Sequence, residues 1–180
     1  RKSVLKALGT TAAKVGSDYT VEFDAAVNAN DTDGNTMIAL CDTEYANGAI
    51  SDWQIDEKYL FKLGASAAKS TTWVINSPYN EQAKKYENGA GTVTLEKNTW
   101  YHFVIDVSVG ATSSAVTYTI TVASDGSPVS ITDANGKTDT SLSTTVANTN
   151  GLAEKLVSVS RYNTSLTCFD NIIVHGIIEE

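Results

Sequence analysis

Apolar and polar residues alternate with a period of two over several stretches of this 180-residue chain. Tyr19, Val21, Phe23, Ala25 and Val27 interleave with Thr20, Glu22, Asp24 and Ala26, the pattern of a strand with one buried face and its carboxylates turned from the core. Tyr101, Phe103, Ile105 and Val107 alternate in the same way with His102, Val104 and Asp106, and Val116, Tyr118, Ile120 and Val122 with Thr117, Thr119 and Thr121. Shorter strands are predicted over 36–41, 58–63, 71–75, around Ile131, and over 156–161 and 166–174, set apart by Gly, Asn, Asp and Ser clusters. Residues 108–115 join two of the long strands as a hairpin. Val4, Leu5, Ala7 and Leu8 fit either an edge strand or an ordered lead-in. The stretch 78–88 places Glu81 and Lys85 at i,i+4 ahead of Gly89 and predicts a long loop with one helical turn. About nine or ten strands with almost no helix signal mean an all-β sandwich or barrel.

Composition supports one folded domain over 1–180: apolar residues make up 42% and charged residues 19%, neither a disordered profile nor a membrane span. The formal net charge of −8 repels a phosphate backbone, and no stretch interleaves Lys or Arg with aromatics, so nucleic acid is excluded as a partner. Neutral glycans fit that charge better than uronic-acid polymers, although a local patch such as Lys84 and Lys85 can override the global field at contact distance. Cys41 and Cys168 both fall on predicted strands. They either form one bridge in an oxidising compartment or remain two buried thiols.

Three segments carry a family likeness: 17–24 (SDYTVEFD), 98–103 (NTWYHF) and 169–174 (FDNIIV). Together they resemble the concanavalin A-like and laminin-G-like jelly rolls, in particular the carbohydrate-binding modules of bacterial polysaccharide-degrading systems. The resemblance implies an antiparallel β-sandwich of two packed sheets, a secreted or cell-surface location, and a polysaccharide or oligosaccharide ligand held on a concave face or on loops above it. It also implies a parent glycan-degrading enzyme or cell-surface protein. Trp100 is expected to help close the sandwich. Many modules of this likeness tie their chain ends together through a structural calcium, and Asp170 matches the position of a ligand in the terminal Asp-Asn-Ile segment. The run Asp31-Thr32-Asp33-Gly34 lacks the later Glu of an EF-hand and reads as an Asx-rich turn.

Sugars are recognised by aromatic rings stacked on the pyranose face, flanked by amides and carboxylates that take up hydroxyls. Trp53, in Ser51-Asp52-Trp53-Gln54 between turn-like segments, is the first candidate. Trp73 follows, with its parity undecided between burial beside Ile75 and exposure. Tyr79, Tyr86 and Asn76 belong to the long polar loop and complete the expected site. A catalytic motif is missing: the glucan-cleaving relatives carry Glu-x-Asp-x-x-Glu, whereas the nearest match, Gln54-Ile55-Asp56-Glu57, has Gln at the first acid. Glu22 and Asp24 share a strand face at i,i+2 and read as a soluble surface, and no ligand or base spacing links His102 with His175. The expectation is a non-catalytic carbohydrate-binding module. The rivals are a structural or adhesive protein-binding sandwich and a glycanase or polysaccharide lyase with an unrecognised motif.

Overall fold

Along residues 18–26 every second side chain is buried, with Tyr19, Val21, Phe23 and Ala25 inside and the polar partners partly open to solvent. This strand is β2 of fifteen in a computed structural model that describes residues 2–7, 16–29, 36–41, 59–147, 155–160 and 168–176, the backbone alone for 2–7, 41 and 155–160. Every regular element among the described residues is a strand. The others are β1 (Lys2–Ala7), β3 (Met37–Cys41), β4 (Tyr59–Ala65), β5 (Thr72–Ile75), β6 (Tyr79–Asn80), β7 (Lys85–Tyr86), β8 (Gly91–Thr94) and β9 (Trp100–Ser108). They continue with β10 (Ser113–Val122), β11 (Ile131–Asp133), β12 (Thr138–Asp139), β13 (Ser141–Ala147), β14 (Lys155–Ser160) and β15 (Cys168–His175).

Two antiparallel sheets pack into a jelly-roll β-sandwich. The large sheet runs β1-β14-β3-β4-β5-β8-β11-β12 and the small sheet β13-β10-β9-β2-β15. The chain repeatedly crosses between them, while the hairpin β9–β10 stays within the small sheet, with Ala115 opposite Ser108. Between the sheets Phe23 stacks on Phe103 at 4.9 Å, and Phe61 meets Tyr118 at 5.3 Å. These rings, with Trp73, Ile38, Leu40 and Ile105, form the core whose removal from water drives the two sheets together. The segment 2–7 resolves as an edge strand paired with β14.

The stretch 78–88 differs from the helical turn expected of it. It forms a small hairpin in which Tyr79 pairs with Tyr86 and Asn80 with Lys85. The Asn80 side-chain oxygen accepts from the backbone N–H groups of Gln82 and Ala83, a local turn that competes with helix formation. The two tyrosine rings then meet at 5.1 Å and turn towards the protein, which fixes both arms of the hairpin.

Candidate functional site

Of the expected aromatics, the three that lie among the described residues, Trp73, Tyr79 and Tyr86, are not presented to solvent. Trp73 lies in β5 with the same inward parity as Ile75 and is 1% exposed, Tyr86 is 0% exposed, and Tyr79 is buried. The parity left open by the sequence is therefore settled for the core, and a ring enclosed on both faces cannot stack on a sugar. The Tyr86 ring lies across the large sheet where Gly64 leaves room: a Cβ there would come within 2.1 Å of the ring. Beside it the Lys62 ammonium sits over the rings of Tyr59 and Tyr86, at 4.6 and 5.2 Å from their centroids. Asn76 adopts a left-handed backbone (φ 51°), accepts from the Lys62 backbone N–H and donates to the Tyr118 hydroxyl at 2.7 Å. Burial pushes the Tyr118 phenol well above its ordinary range, against the smaller opposing effect of the Asn76 contact, so it stays a neutral donor to the Leu60 carbonyl. Trp53, Gln54–Glu57 and Asp31–Gly34 lie outside the described residues.

Each lysine of the Lys84–Lys85 patch has a carboxylate partner. Lys84 pairs with Glu81 at 3.1 Å and Lys85 with Glu87 at 2.9 Å. The Glu87 carboxyl is held below the usual glutamate value by its contact with Lys85 and then by that with Asn80.

An exposed polar constellation lies instead on the outer face of the small sheet. In β9 the inward residues are Tyr101, Phe103, Ile105 and Val107, so Trp100, His102, Val104 and Asp106 point outward. Trp100 is 40% exposed, which corrects the expectation that it closes the sandwich. Its cross-strand neighbour is Ala26, itself paired with Cys168, and the short alanine leaves the indole uncovered on that side. Cys168 is exposed with a free thiol, so neither alternative drawn from the sequence describes it.

One register step along, His102 lies opposite Asp24, and Asp24 opposite Asp170. His102 Nδ1 is 2.7 Å from Asp24 Oδ1, and its Nε2 is 3.4 Å from Glu22 Oε2. The other Glu22 oxygen is 3.3 Å from His175 Nε2. An ionised carboxylate only accepts, so the 2.7 Å contact with Asp24 calls for an N–H on Nδ1, while Nε2 faces Glu22 at the longer distance. Asn171 donates its amide to Asp24 Oδ2 at 2.6 Å. It reaches there because β15 bulges between Asp170 and Ile173 and Asn171 takes a left-handed φ of 49°, a conformation to which Asn is suited. Imidazole, carboxylate and amide groups thus interlock across β9, β2 and β15. Farther along, the Thr20 hydroxyl donates to Asp106, and Thr20, Asp106, Ser108, Thr117 and His175 border an open groove of about 440 Å³. From the sequence Glu22 and Asp24 form one i,i+2 pair, with no spacing that links His102 to His175. Parity places Glu22, Asp24 and His102 on outward positions, but only the register of three strands brings all four together.

Asp170 accepts from the Asn171 backbone N–H and is exposed. Among the described residues no group of three or more His, Cys, Asp or Glu side chains converges to hold a metal ion. Glu22 illustrates why: its two oxygens face different imidazoles instead of sharing one point with them. Among the described residues no helix is long and apolar enough to cross a membrane.

No protein-family description matches the chain, and no curated protein matches it. Solved structures similar to it include the catalytic domain of a GH131 β-glucanase from Podospora anserina, at 11% identity and a TM-score of 0.40 over 94% of this chain and 62% of that one. Peanut lectin with a 9mer peptide is similar at 12% identity and a TM-score of 0.38, over 94% of this chain and 78% of the lectin. The chain thus spans less than two thirds of the glucanase domain.

Proposed function

We propose that the chain is a non-catalytic carbohydrate-binding module, part of a secreted or cell-surface glycan-degrading system, and that it holds a neutral polysaccharide on the outer face of its small sheet. The observation that carries this reading is Trp100: a large aromatic ring left exposed on a sheet face, with a small neighbour on one side and an interlocked imidazole–carboxylate network two residues along. An indole can stack on the apolar face of a pyranose while Asp24, His102, Asn171 and Glu22 exchange hydrogen bonds with its hydroxyls. Those groups hold one another in place before a ligand arrives, which lowers the ordering cost of binding. From Trp100 to Asp106 the strand advances roughly 20 Å at ~3.3 Å per residue, a length suited to an extended chain.

Binding without cleavage fits the placement of the carboxylates. Glycoside hydrolysis needs two carboxyl groups flanking the scissile bond. The oxygens of Glu22 and Asp24 are already engaged by His102, His175 and Asn171. Affinity electrophoresis on neutral and acidic polysaccharides, beside a reducing-sugar assay, tests the proposal. Retardation by a neutral polymer without product is expected. Product would make the chain a glycanase, and absence of retardation on every polymer would favour a protein-binding sandwich.

A further inference from the structure

The large sheet carries a second concavity of about 530 Å³, on the side of the molecule away from Trp100, between the β6–β7 hairpin and the β11–β12 turn. Its polar lining comes from Ser66, Lys85, Glu87, Asn88, Thr92 and Asp133. Both walls are tied down. Ser77 donates its hydroxyl to the Glu87 carbonyl, Asn80 donates to the Glu87 carboxylate at 2.6 Å, and Tyr86 lies against Gly64. On the other side the Ala134 N–H donates to the Ala90 carbonyl at 3.1 Å, and the Asp133 carboxylate accepts from the Asn135 and Lys137 N–H groups of its own turn. The volume falls in the range of small-molecule sites, and tied walls are what a preformed site requires.

We infer that this cleft is a second ligand site, separate from the Trp100 face, and that it takes one or two neutral pyranose units. The charges on its walls already have partners: Lys85 is paired with Glu87, and Asp133 is turned into its own backbone. An ionic ligand would have to compete with those pairings. The Asn88 amide and the Ser66 and Thr92 hydroxyls are groups that exchange hydrogen bonds with sugar hydroxyls without introducing net charge. The inference goes beyond the proposed function, since it concerns a different sheet and stands whether or not Trp100 binds glycan.

The test is a nitrogen-15 amide-shift titration of the whole chain with cellobiose, xylobiose and maltose, repeated on Trp100→Ala and on Thr92→Phe. Thr92 is exposed in β8, so a phenyl ring there fills the cleft without entering the core. Saturable shifts at Asn88, Thr92 and Asp133 are expected with at least one sugar, unchanged in Trp100→Ala and at least tenfold weaker in Thr92→Phe. If Thr92→Phe does not fold, Asn88→Gly, which removes the amide and suits the left-handed backbone there (φ 59°), replaces it with the same expected weakening. Shifts confined to Trp100, His102 and their neighbours would overturn the second site and leave the first intact. Cleft shifts alone would support the second site and remove the first. Shifts nowhere, or cleft shifts that persist with the cleft filled, would overturn the second site.

Discussion

On the outer face of the large sheet Lys62, Gly64 and Val74 are buried, although their inward neighbours Leu63 and Ile75 are the ones that belong to the core. On the outer face of the small sheet His102, Asp106 and Thr117 remain at least partly open, and Trp100 is 40% exposed. Both faces come from period-two strands, so alternation alone does not separate them. The difference lies in what crosses each face: Tyr86 lies across Gly64 on the large sheet, and among the described residues no strand crosses the small one. A buried aromatic here holds structure together, and an exposed one is available to a ligand.

The sharpest way to break this distinction is Trp73→Ala. If the indole is core, its removal costs roughly 3–5 kcal/mol, and the melting temperature should fall by on the order of 10 °C. A variant that keeps its melting temperature would return Trp73 to the list of surface candidates. Gly64→Ala comes next. A methyl group within 2.1 Å of the Tyr86 ring must displace the hairpin, at about 1–3 kcal/mol, with loss of amide-exchange protection over 79–86. Unchanged protection would mean that the hairpin does not depend on this contact.

A smaller effect follows from Glu87. Its folded-state pKa is lowered, so its contribution to holding the hairpin is present above the ordinary value of 4.5 and is lost as pH falls through the lowered value. Amide-exchange protection over 79–86, taken relative to the intrinsic rate at each pH, should therefore fall on acidification below about pH 4.5. Glu87→Gln should flatten that response, and a Glu87→Gln profile identical to the parent's would remove the carboxylate from the account.

How much of this was legible in the sequence differs between the two faces. The long strands at 18–26, 100–108 and 113–122 could be read because each buries one face, and a period of two is the direct mark of that. The same parity carried a signal that the motif likeness overrode: Trp100 shares its phase with His102 and Asp106, which are polar, and so it points outward. Trp73 could not be placed by parity, because Val74 and Ile75 are both apolar and both phases look buried. Tyr79 and Tyr86 look like loop residues until the Asn80 turn pairs them and lays Tyr86 against Gly64, 22 positions away in the chain. The Asp24–His102–Glu22–His175 network needed the cross-strand register and the β15 bulge, and neither is encoded within a single strand.

The smallest expected change in stability accompanies the largest expected change in binding, and both are read on Trp100→Ala. Removing a surface indole should alter stability by no more than about 0.5 kcal/mol, so the melting temperature should stay within roughly 2 °C of the parent. Removing a stacking platform should cost on the order of 1–3 kcal/mol of affinity, about tenfold or more in retention on the polysaccharide that the parent chain binds. Affinity electrophoresis and a melting curve on the same Trp100→Ala preparation should therefore show retention lost and stability kept. Retention equal to that of the parent, or a fall in melting temperature as large as that of Trp73→Ala, would contradict the assignment of the small sheet's outer face as the glycan-binding surface.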